Sequence, residues 1–400
     1  ILIIFNLMMS TLFVQSTPKI VYSVTDWEIS TPEEQEMNSK EIEDLKSHIT
    51  SDHPDIHSMV VIRNGFLVAE EYFRGTVATK SNIYSCTKSL TSALIGLAVQ
   101  EGFIASIDVP VLEFFPSRIF KNIDARKQNM TIYHLLTMTA GLEWYELQVG
   151  YEDPSNSLFK MWDSNDWVQY VLDQKMDKEP GEEFNYNTGA SHVLSAIINQ
   201  TTRMSTLEFA KTRIFDRIGI EDYYWPTDPT GIHKGGEGLE LSPRSLAKLG
   251  QLYLNNGSWK GQQIISPEWI FNSTRIDHRP PGHSSYGYGF QWWIHPGGEI
   301  FSAWGYAEQR VLVVPKYQLV VVFTGFMLKA YGDPASDLVN LYIIPAIIGF
   351  KSLTTTTTSQ KTSFVTTIFT TTESSSDFLG ALTALVVLST LIILTRSRIK

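Results

Sequence analysis

The sequence predicts an α+β fold in which helices flank an antiparallel sheet and an all-helical subdomain is inserted between its strands. Three observations indicate this fold. Alternating apolar runs come early in the globular part, helix-like segments fill its middle, and apolar, β-branched runs return toward its end. The order strands, helices, strands, helix fits a sheet whose two ends come together around an inserted helical region.

The first two strands are predicted on either side of Asn64-Gly65. The stretch from Met59 to Phe73 alternates around this dipeptide, which is favoured in the two-residue turn of a hairpin. From Ser85 to Gln100 the apolar residues follow the helical period, and Gly102 comes just after that pattern. A long, mostly buried helix is therefore expected soon after the hairpin.

Between about residues 108 and 269 the chain alternates helix-like segments with turns rich in Gly, Pro and Asp. These segments include Ile132–Met138, Trp167–Leu172, Ala190–Asn199, Thr206–Ile218 and Ser242–Leu254. Strand-like runs follow at Phe290–Ile294, Phe301–Val314 and Leu319–Phe326, and a closing helix is predicted at Ser336–Ile348. This middle region is the predicted helical insertion.

Composition limits the classes of function. The chain has 400 residues, of which 43% are hydrophobic and 18% charged, so it can bury a large core and is not a disordered chain. Its net charge is −10 and it has no basic block outside the last five residues, so no nucleic-acid partner is expected. The single cysteine, Cys86, excludes an intramolecular disulfide.

The two ends predict a single-pass membrane protein. Residues 1–18 are apolar up to a small-residue stretch, which is typical of a signal peptide that lacks its basic start; a disordered apolar leader is the alternative. The charge-free run Phe378–Leu394 precedes Arg396, Arg398 and Lys400. This pattern predicts a transmembrane helix at 378–395 and a cytoplasmic tail at 396–400. A lipid-anchor signal is the alternative.

The segment between the globular part and the predicted membrane helix is rich in Ser and Thr. Residues 352–377 cannot bury enough surface to fold and are predicted to form a stalk below a globular domain at 19–351. Four N-glycosylation sequons agree with an extracellular or lumenal position for that domain. They begin at Asn129, Asn199, Asn256 and Asn272.

Ser85 and Lys88 are the first candidates for chemistry. They stand three residues apart at the start of the predicted helix, so both lie on one face within one turn. A serine hydroxyl needs a base to become a nucleophile, and a lysine can be that base when burial lowers its pKa. The same Ser-x-x-Lys spacing also occurs at Ser16, Ser157, Ser245 and Ser397. Only context favours Ser85, and a helix-capping serine with a solvated lysine is the alternative.

Further stretches carry a family resemblance by occurring together and in order. They are Tyr84–Ser89, His134–Leu142, Pro180-Gly181 followed by Phe184–Gly189, Leu239–Gly257, and Tyr286–Gly289 before Trp292-Trp293. On these stretches, from about Ser58 to Gly349, the chain resembles the serine β-lactamase and penicillin-binding-protein superfamily. Within it, the chain is most similar to the esterases and amidases that resemble 6-aminohexanoate-dimer hydrolase. The resemblance implies a β-lactamase-like fold.

The resemblance also implies a third catalytic residue, Tyr186. Its phenol would share the serine proton with Lys88 and pass a proton to the leaving group; a core tyrosine is the alternative. The family motif Tyr-x-Asn ends here in Thr188. This departure removes the amide that the motif offers to a β-lactam-type substrate.

The cationic third motif of the family, Lys-Thr-Gly or His-x-Gly, is absent. Its place falls near Ala303-Trp304-Gly305, followed by Tyr306. A backbone N–H near Gly305 or Tyr306 would supply an oxyanion donor beside the Ser85 amide, although Gly305 is as easily a core-packing glycine. We expect Thr188, Gly305 and Tyr306 to bind substrate, and we expect neutral substrates because a carboxylate finds no cation there.

The sequence therefore predicts a membrane-anchored serine hydrolase that forms an acyl-enzyme on Ser85 and cleaves an ester or amide of a small molecule, without cofactor or metal. The nine histidines show no zinc-binding pair, and no Gly-x-Ser-x-Gly elbow is present. Two alternatives stay open. One is a catalytically inactive binding module on the same fold, and the other is a structural or adhesive cell-surface protein. The oligomeric state and the natural substrate are not predicted.

Overall fold

The computed structural model describes residues 26–281, 285–327 and 333–347. The predicted signal peptide, stalk, transmembrane helix and tail lie outside these residues and stay predictions. Within the described ranges, no helix has both the length and the apolar character needed to cross a bilayer.

A seven-stranded antiparallel sheet forms the centre of the fold. Its strands are β1 (Ile56–Arg63), β2 (Phe66–Tyr72), β3 (Gly287–Tyr288), β4 (Trp293–Ile294), β5 (Phe301–Gly305), β6 (Gln309–Val314) and β7 (Leu319–Gly325). They lie side by side in the order β2-β1-β7-β6-β5-β4-β3. The sheet therefore pairs strands from both ends of the globular part, and the predicted α+β class is confirmed.

The helices lie mostly between β2 and β3 in the chain. They are α1 (Ser39–Asp52), α2 (Thr87–Gln100), α3 (Ala125–Gln128), α4 (Ile132–Leu136), α5 (Ser157–Trp162), α6 (Trp167–Leu172), α7 (Thr188–Thr202), α8 (Thr206–Ala210), α9 (Asp216–Ile218), α10 (Pro243–Leu254), α11 (Pro267–Ser273) and α12 (Pro334–Leu338). Short strands accompany them at Ser81–Asn82, Tyr223–Tyr224, Glu240–Leu241, Ser258–Trp259 and Gln262–Gln263.

Apolar side chains cover both faces of the sheet. In β1, Val60 and Ile62 belong to the core shared with the central helices, whereas Met59 and Val61 belong to the core shared with α1 and the C-terminal helical segment. Successive strand residues point to opposite faces, so one strand contributes to both cores. The result is a sheet between two helical layers.

Backbone conformation at the turns explains why one predicted hairpin is confirmed and why one predicted strand forms two. The hairpin turn is as predicted, because Asn64 and Gly65 both adopt positive φ, 54° and 85°. The run Phe301–Val314 forms two strands instead of one, since Ala307 and Glu308 also adopt positive φ and reverse the chain. Neither residue type signals such a turn in sequence.

Two predicted helices are interrupted. The segment Thr206–Ile218 contains a π-helical turn at Lys211–Phe215 between α8 and α9. The predicted closing helix begins as α12 and continues as a π-helical turn at Val339–Ile343. The apolar period predicted the location of both helices but not their π-helical turns, which no residue type signals.

Candidate active site

A short 3₁₀ turn at Tyr84–Cys86, directly before α2, presents Ser85 to solvent-accessible space. Tyr84 holds a left-handed φ of 44°, a conformation that costs a bulky residue about 1 to 3 kcal/mol. Its N–H donates to Asn82 Oδ1 at 2.8 Å, which holds the turn. The Ser85 amide lies in this first turn, where backbone N–H groups are not used by the helix itself.

Lys88 lies one helical turn after Ser85 and points inward. Only 1% of its surface is exposed. Its Nζ is 3.0 Å from Ser85 Oγ, 2.9 Å from Thr188 Oγ1 and 2.8 Å from the carbonyl oxygen of Gly236. Burial lowers the pKa of Lys88 to about 8, because desolvation disfavours the charged ammonium.

The partners of Lys88 fix the direction of its lone pair. Thr188 Oγ1 donates its proton to Glu146 Oε1 at 2.6 Å, so it can only accept from Lys88. The Gly236 carbonyl is also an acceptor. A neutral lysine amine has two N–H bonds, and these two acceptors use both. Its lone pair is then left for the proton of Ser85, which is the arrangement that a general base requires.

Glu146 completes this group, and the sequence did not single it out. Its carboxylate is buried and accepts from Thr188 N–H and Trp144 Nε1, both at 2.8 Å. Burial raises the pKa of Glu146, and Lys88 opposes that rise. The residue stands in a loop without periodicity, so the one available sequence signal was a carboxylate placed between aromatic and apolar residues soon after the His134–Leu142 stretch.

Tyr186 lies on the other side of Ser85. It is buried, stacks against Trp293 with ring centroids 6.1 Å apart, and places its ring 4.8 Å from Lys88 Nζ. Burial raises the pKa of the phenol well above its usual value, while the neighbouring Ser85 side chain opposes that rise. The phenol is therefore protonated at neutral pH and can donate.

Two cavities meet at Ser85. The larger, of about 300 Å³, is bounded mainly by aromatic and apolar side chains. Its lining includes Leu147, Tyr186, Trp293, Trp304, Tyr306 and Met327. The smaller, of about 120 Å³, has Glu146 and Glu237 in its wall together with Tyr84, Tyr151 and Trp162. Because the nucleophile lies at the junction of the two cavities, one cavity can hold the acyl part of a substrate and the other can hold its leaving group.

A family model described as Beta-lactamase matches residues 52–335. The chain belongs to the β-lactamase family. The predicted superfamily is therefore confirmed.

Individual relatives agree with this assignment. The chain is 23% identical over 300 residues to the 6-aminohexanoate-dimer hydrolase of Paenarthrobacter ureafaciens, covering 69% of this chain and 73% of that protein. A solved Bacillus anthracis structure with the provisional name 6-aminohexanoate-dimer hydrolase is 27% identical, with a TM-score of 0.66 over 76% of this chain and 81% of that one. A family VIII carboxylesterase is 16% identical with a TM-score of 0.62, covering 79% and 98% of the two chains, and shows the shared fold.

The two other Ser-x-x-Lys pairs within the described residues, at Ser157 and Ser245, have different surroundings. Ser157 Oγ accepts from the Tyr145 N–H, and Lys160 is exposed. Lys248 Nζ donates to the carbonyl of Gly219. The pairs that begin at positions 16 and 397 lie outside the described residues. Lys88 Nζ, by contrast, lies 3.0 Å from Ser85 Oγ.

The predicted substrate-binding residues occupy different positions. Thr188 borders the smaller cavity, but its hydroxyl is engaged by Lys88 and Glu146. Gly305 lines the larger cavity, and a Cβ there would lie 2.3 Å from the carbonyl oxygen of Ile83. Close packing against the Ile83 backbone, directly before the turn that carries Ser85, therefore requires a glycine. Tyr306 is 41% exposed and borders both cavities.

The tryptophan pair divides between core and cavity. Trp292 is fully buried and packs 4.4 Å from Tyr253, measured between ring centroids. Trp293 lines the larger cavity. Trp292 directly precedes β4 and Trp293 begins it, and these neighbouring side chains lie in the core and in the site, respectively.

Proposed function

We propose that this protein is a serine hydrolase that forms an acyl-enzyme on Ser85 and cleaves an ester or amide bond of a small neutral substrate. The observation that carries the proposal is the 3.0 Å contact between Lys88 Nζ and Ser85 Oγ. It matters because the other two partners of Lys88 are acceptors, which leaves the amine lone pair for the serine proton.

Acylation follows from this arrangement. The Ser85 oxygen attacks the substrate carbonyl carbon while its proton passes to Lys88, and the oxyanion forms beside the Ser85 amide and a backbone N–H near Gly305. Tyr186 gives its proton to the leaving alcohol or amine as the bond to the acyl carbon breaks, and it recovers a proton from Lys88. Water then attacks the acyl-enzyme and releases the acid, while the proton of that water returns through the same groups to Ser85.

The lining of the two cavities supports the substrate class. Aromatic and apolar groups dominate the larger cavity, which favours an uncharged acyl or aryl group. Glu146 and Glu237 in the smaller cavity disfavour an anion. One relative is named 6-aminohexanoate-dimer hydrolase, and a structure of the same fold is named a carboxylesterase, so both amide and ester bonds belong to the proposal.

The inactive binding module that the sequence left open would be favoured by a Lys88 or Tyr186 that faced away from Ser85. Instead, Lys88 Nζ lies 3.0 Å from Ser85 Oγ, and the Tyr186 ring lies 4.8 Å from Lys88 Nζ in the wall of the same cavity as Ser85. The adhesive alternative required the absence of a convergent pocket, whereas two cavities converge on Ser85.

The experiment is active-site labelling with a fluorophosphonate probe, followed by peptide mapping. The wild-type protein should be labelled at Ser85, and Ser85→Ala should lose labelling and at least about a thousandfold in turnover of a neutral aryl ester. Ser157→Ala, which removes the serine of another Ser-x-x-Lys pair, is the matched control and should keep both. Labelling that persists in Ser85→Ala would refute the assignment.

We further propose that the domain faces the outside of the cell or a lumen, held by the predicted helix at 378–395. Exposed sequon asparagines at 129 and 256 support this topology. Glycosidase treatment should lower the apparent mass of the protein expressed in a glycosylating host. The double variant Asn129→Gln, Asn256→Gln should lose most of that shift, and a mass unchanged by glycosidase in the wild type would contradict the topology.

A further inference from the structure

A buried arginine lies directly behind the wall of the larger cavity. Arg310 on β6 is paired in register with Trp304 on β5, so the two side chains stand next to each other on the same face of the sheet. Arg310 has 0% of its surface exposed. The central carbon of its guanidinium is 3.3 Å from the centroid of the indole ring, which is close stacking of a cation on an aromatic face.

Arg310 is only partly satisfied by its neighbours. Its Nη2 donates to Asp333 Oδ1, but Nε and Nη1 have no hydrogen-bond partner among the described residues. Glu308 Oε2 lies 3.3 Å from Nε without the geometry of a hydrogen bond. Most buried polar groups in proteins are paired, so a buried guanidinium with free N–H groups is an exception that needs a reason.

The carboxylate of Asp333, which pairs with Arg310, already accepts several hydrogen bonds. Asp333 Oδ2 accepts from Tyr286 at 2.7 Å and from Ser336 Oγ at 2.6 Å, and Oδ1 accepts from Ser336 N–H as well as from Arg310. The carboxylate is therefore held in place by four donors. It cannot turn to satisfy the free N–H groups of Arg310, which remain available to another anion.

The indole of Trp304 is what separates this cation from the substrate space. Trp304 lines the larger cavity beside Ser85, whereas Arg310 does not reach it. The sequence offers no Lys or His at the third motif to hold a substrate carboxylate, and makes Arg310, which adjoins the same predicted strand, the first suspect for any other cation there. The structure places this cation next to the cavity and covers it with an aromatic ring.

We propose that Trp304 determines the charge class of the substrate by screening Arg310. With the indole in place the cavity accepts neutral groups and rejects carboxylates, because an anion there gains no charge-assisted hydrogen bond. Without the indole, Nη1 of Arg310 becomes a binding site for a carboxylate carried by the substrate. This inference rests on the proposed hydrolase function and names the residue that sets its specificity.

The first test compares two substrates that differ in charge. They are p-nitrophenyl butyrate, which is neutral, and mono-p-nitrophenyl succinate, which carries a carboxylate at the end of a similar chain. Trp304→Ala should raise the ratio of kcat/KM for the anionic ester to that for the neutral ester by at least about tenfold, the lower range for a hydrogen bond to a charged group. Trp304→Phe, which keeps an aromatic cover, should leave the ratio within about threefold of wild type. A general loss of activity in either variant cancels in the ratio.

The second test asks whether Arg310 causes the change. Arg310→Gln added to Trp304→Ala should return the ratio to the wild-type value, with folding checked by circular dichroism. Because this double variant loses a buried charge and can fail to fold, Glu308→Gln in the Trp304→Ala background provides a second test. It removes the acidic group near Nε and should raise the ratio further. A gain in Trp304→Ala that neither substitution alters would overturn the role of Arg310.

A chemical probe separates this inference from the hydrolase proposal, because it needs no turnover. Phenylglyoxal modifies accessible arginines, and Arg74, whose side chain is 57% exposed, serves as the internal reference. Arg310 should stay unmodified in the wild type and react in Trp304→Ala, as read by peptide mass spectrometry. Equal reactivity of Arg310 and Arg74 in the wild type would overturn the inference, even if Ser85 is labelled and esters are cleaved. A wild type that cleaves neither ester while Arg310 behaves as described would instead count against the proposed function and would leave the screening by Trp304 in place.

Discussion

Lys88 and Arg310 are both buried cations near the same cavity, yet their surroundings differ. Lys88 has three hydrogen-bond partners for three ammonium protons. Arg310 lies beside two carboxylates, Asp333 and Glu308, but only Asp333 accepts a hydrogen bond from it, so Nε and Nη1 have none among the described residues. Burial lowers the pKa of Lys88 to about 8. An arginine keeps its proton in proteins. The comparison teaches that burial makes a lysine available for proton transfer but turns an arginine into a fixed charge that must be paired or covered.

The largest effect on turnover in this comparison is expected when Lys88 can no longer act as a base. Lys88→Met keeps an unbranched chain but removes the base, so kcat/KM for a neutral aryl ester should fall by about 10²- to 10⁴-fold. The control is Lys160→Met, which removes an exposed lysine from another Ser-x-x-Lys pair and should retain activity. A Lys88→Met enzyme within tenfold of wild type would show that another group takes the Ser85 proton.

The need to pair the buried charge of Arg310 predicts a loss of stability when its partner carboxylate is removed. Asp333→Asn removes the charge that compensates the guanidinium, and breaking a buried ion pair in this way costs about 3 to 5 kcal/mol in the free energy of unfolding. Asp337→Asn alters an exposed carboxylate in α12, the helix that Asp333 caps, and should change that free energy by less than about 0.5 kcal/mol. Urea unfolding of the two variants measures the difference. Equal midpoints for both would mean that Asp333 does not stabilise the buried arginine.

A smaller loss of kcat/KM should show whether the hydroxyl of Thr188, and not only the shape of its side chain, is needed for activity. Thr188→Val keeps the branched side chain but removes the acceptor for Lys88 and the donor to Glu146, so kcat/KM should fall by about ten- to a hundredfold. Thr188→Ser keeps the hydroxyl and should recover most of the activity. If valine and serine variants are equally active, the hydroxyl does not orient the lysine.

The smallest effect concerns pH. Lys88 acts as a base only when neutral, so kcat/KM should rise with pH through about 8 as the ammonium loses its proton. Glu146 favours the charged lysine, so Glu146→Gln should lower the pKa of Lys88 and move this limb to lower pH. Glu143→Gln, on the same loop, is the control and should leave the profile unchanged. A limb that moves to higher pH in Glu146→Gln would contradict the electrostatic role of Glu146.

Much of the fold could be predicted because its signals are local. Asn64-Gly65 gave the first hairpin through the φ values that these two residue types tolerate. The helical period after Ser85 gave α2. Irregular features were missed where no residue type announces them, as in the turn at Ala307 and Glu308 or the π-helical turns.

The sequence by itself identified Ser85 and Lys88 as the candidate nucleophile and base, because residues three positions apart lie close together within one helical turn. Tertiary structure decided everything that depends on distant parts of the chain. Lys88 meets the Gly236 carbonyl 148 residues away, and Thr188 meets Glu146 across 42 residues. The position of Arg310 behind Trp304 depends on the register of β5 against β6. Such contacts arise from strand pairing and helix packing, so the sequence could make Arg310 a suspect cation but could not reveal that Trp304 covers it.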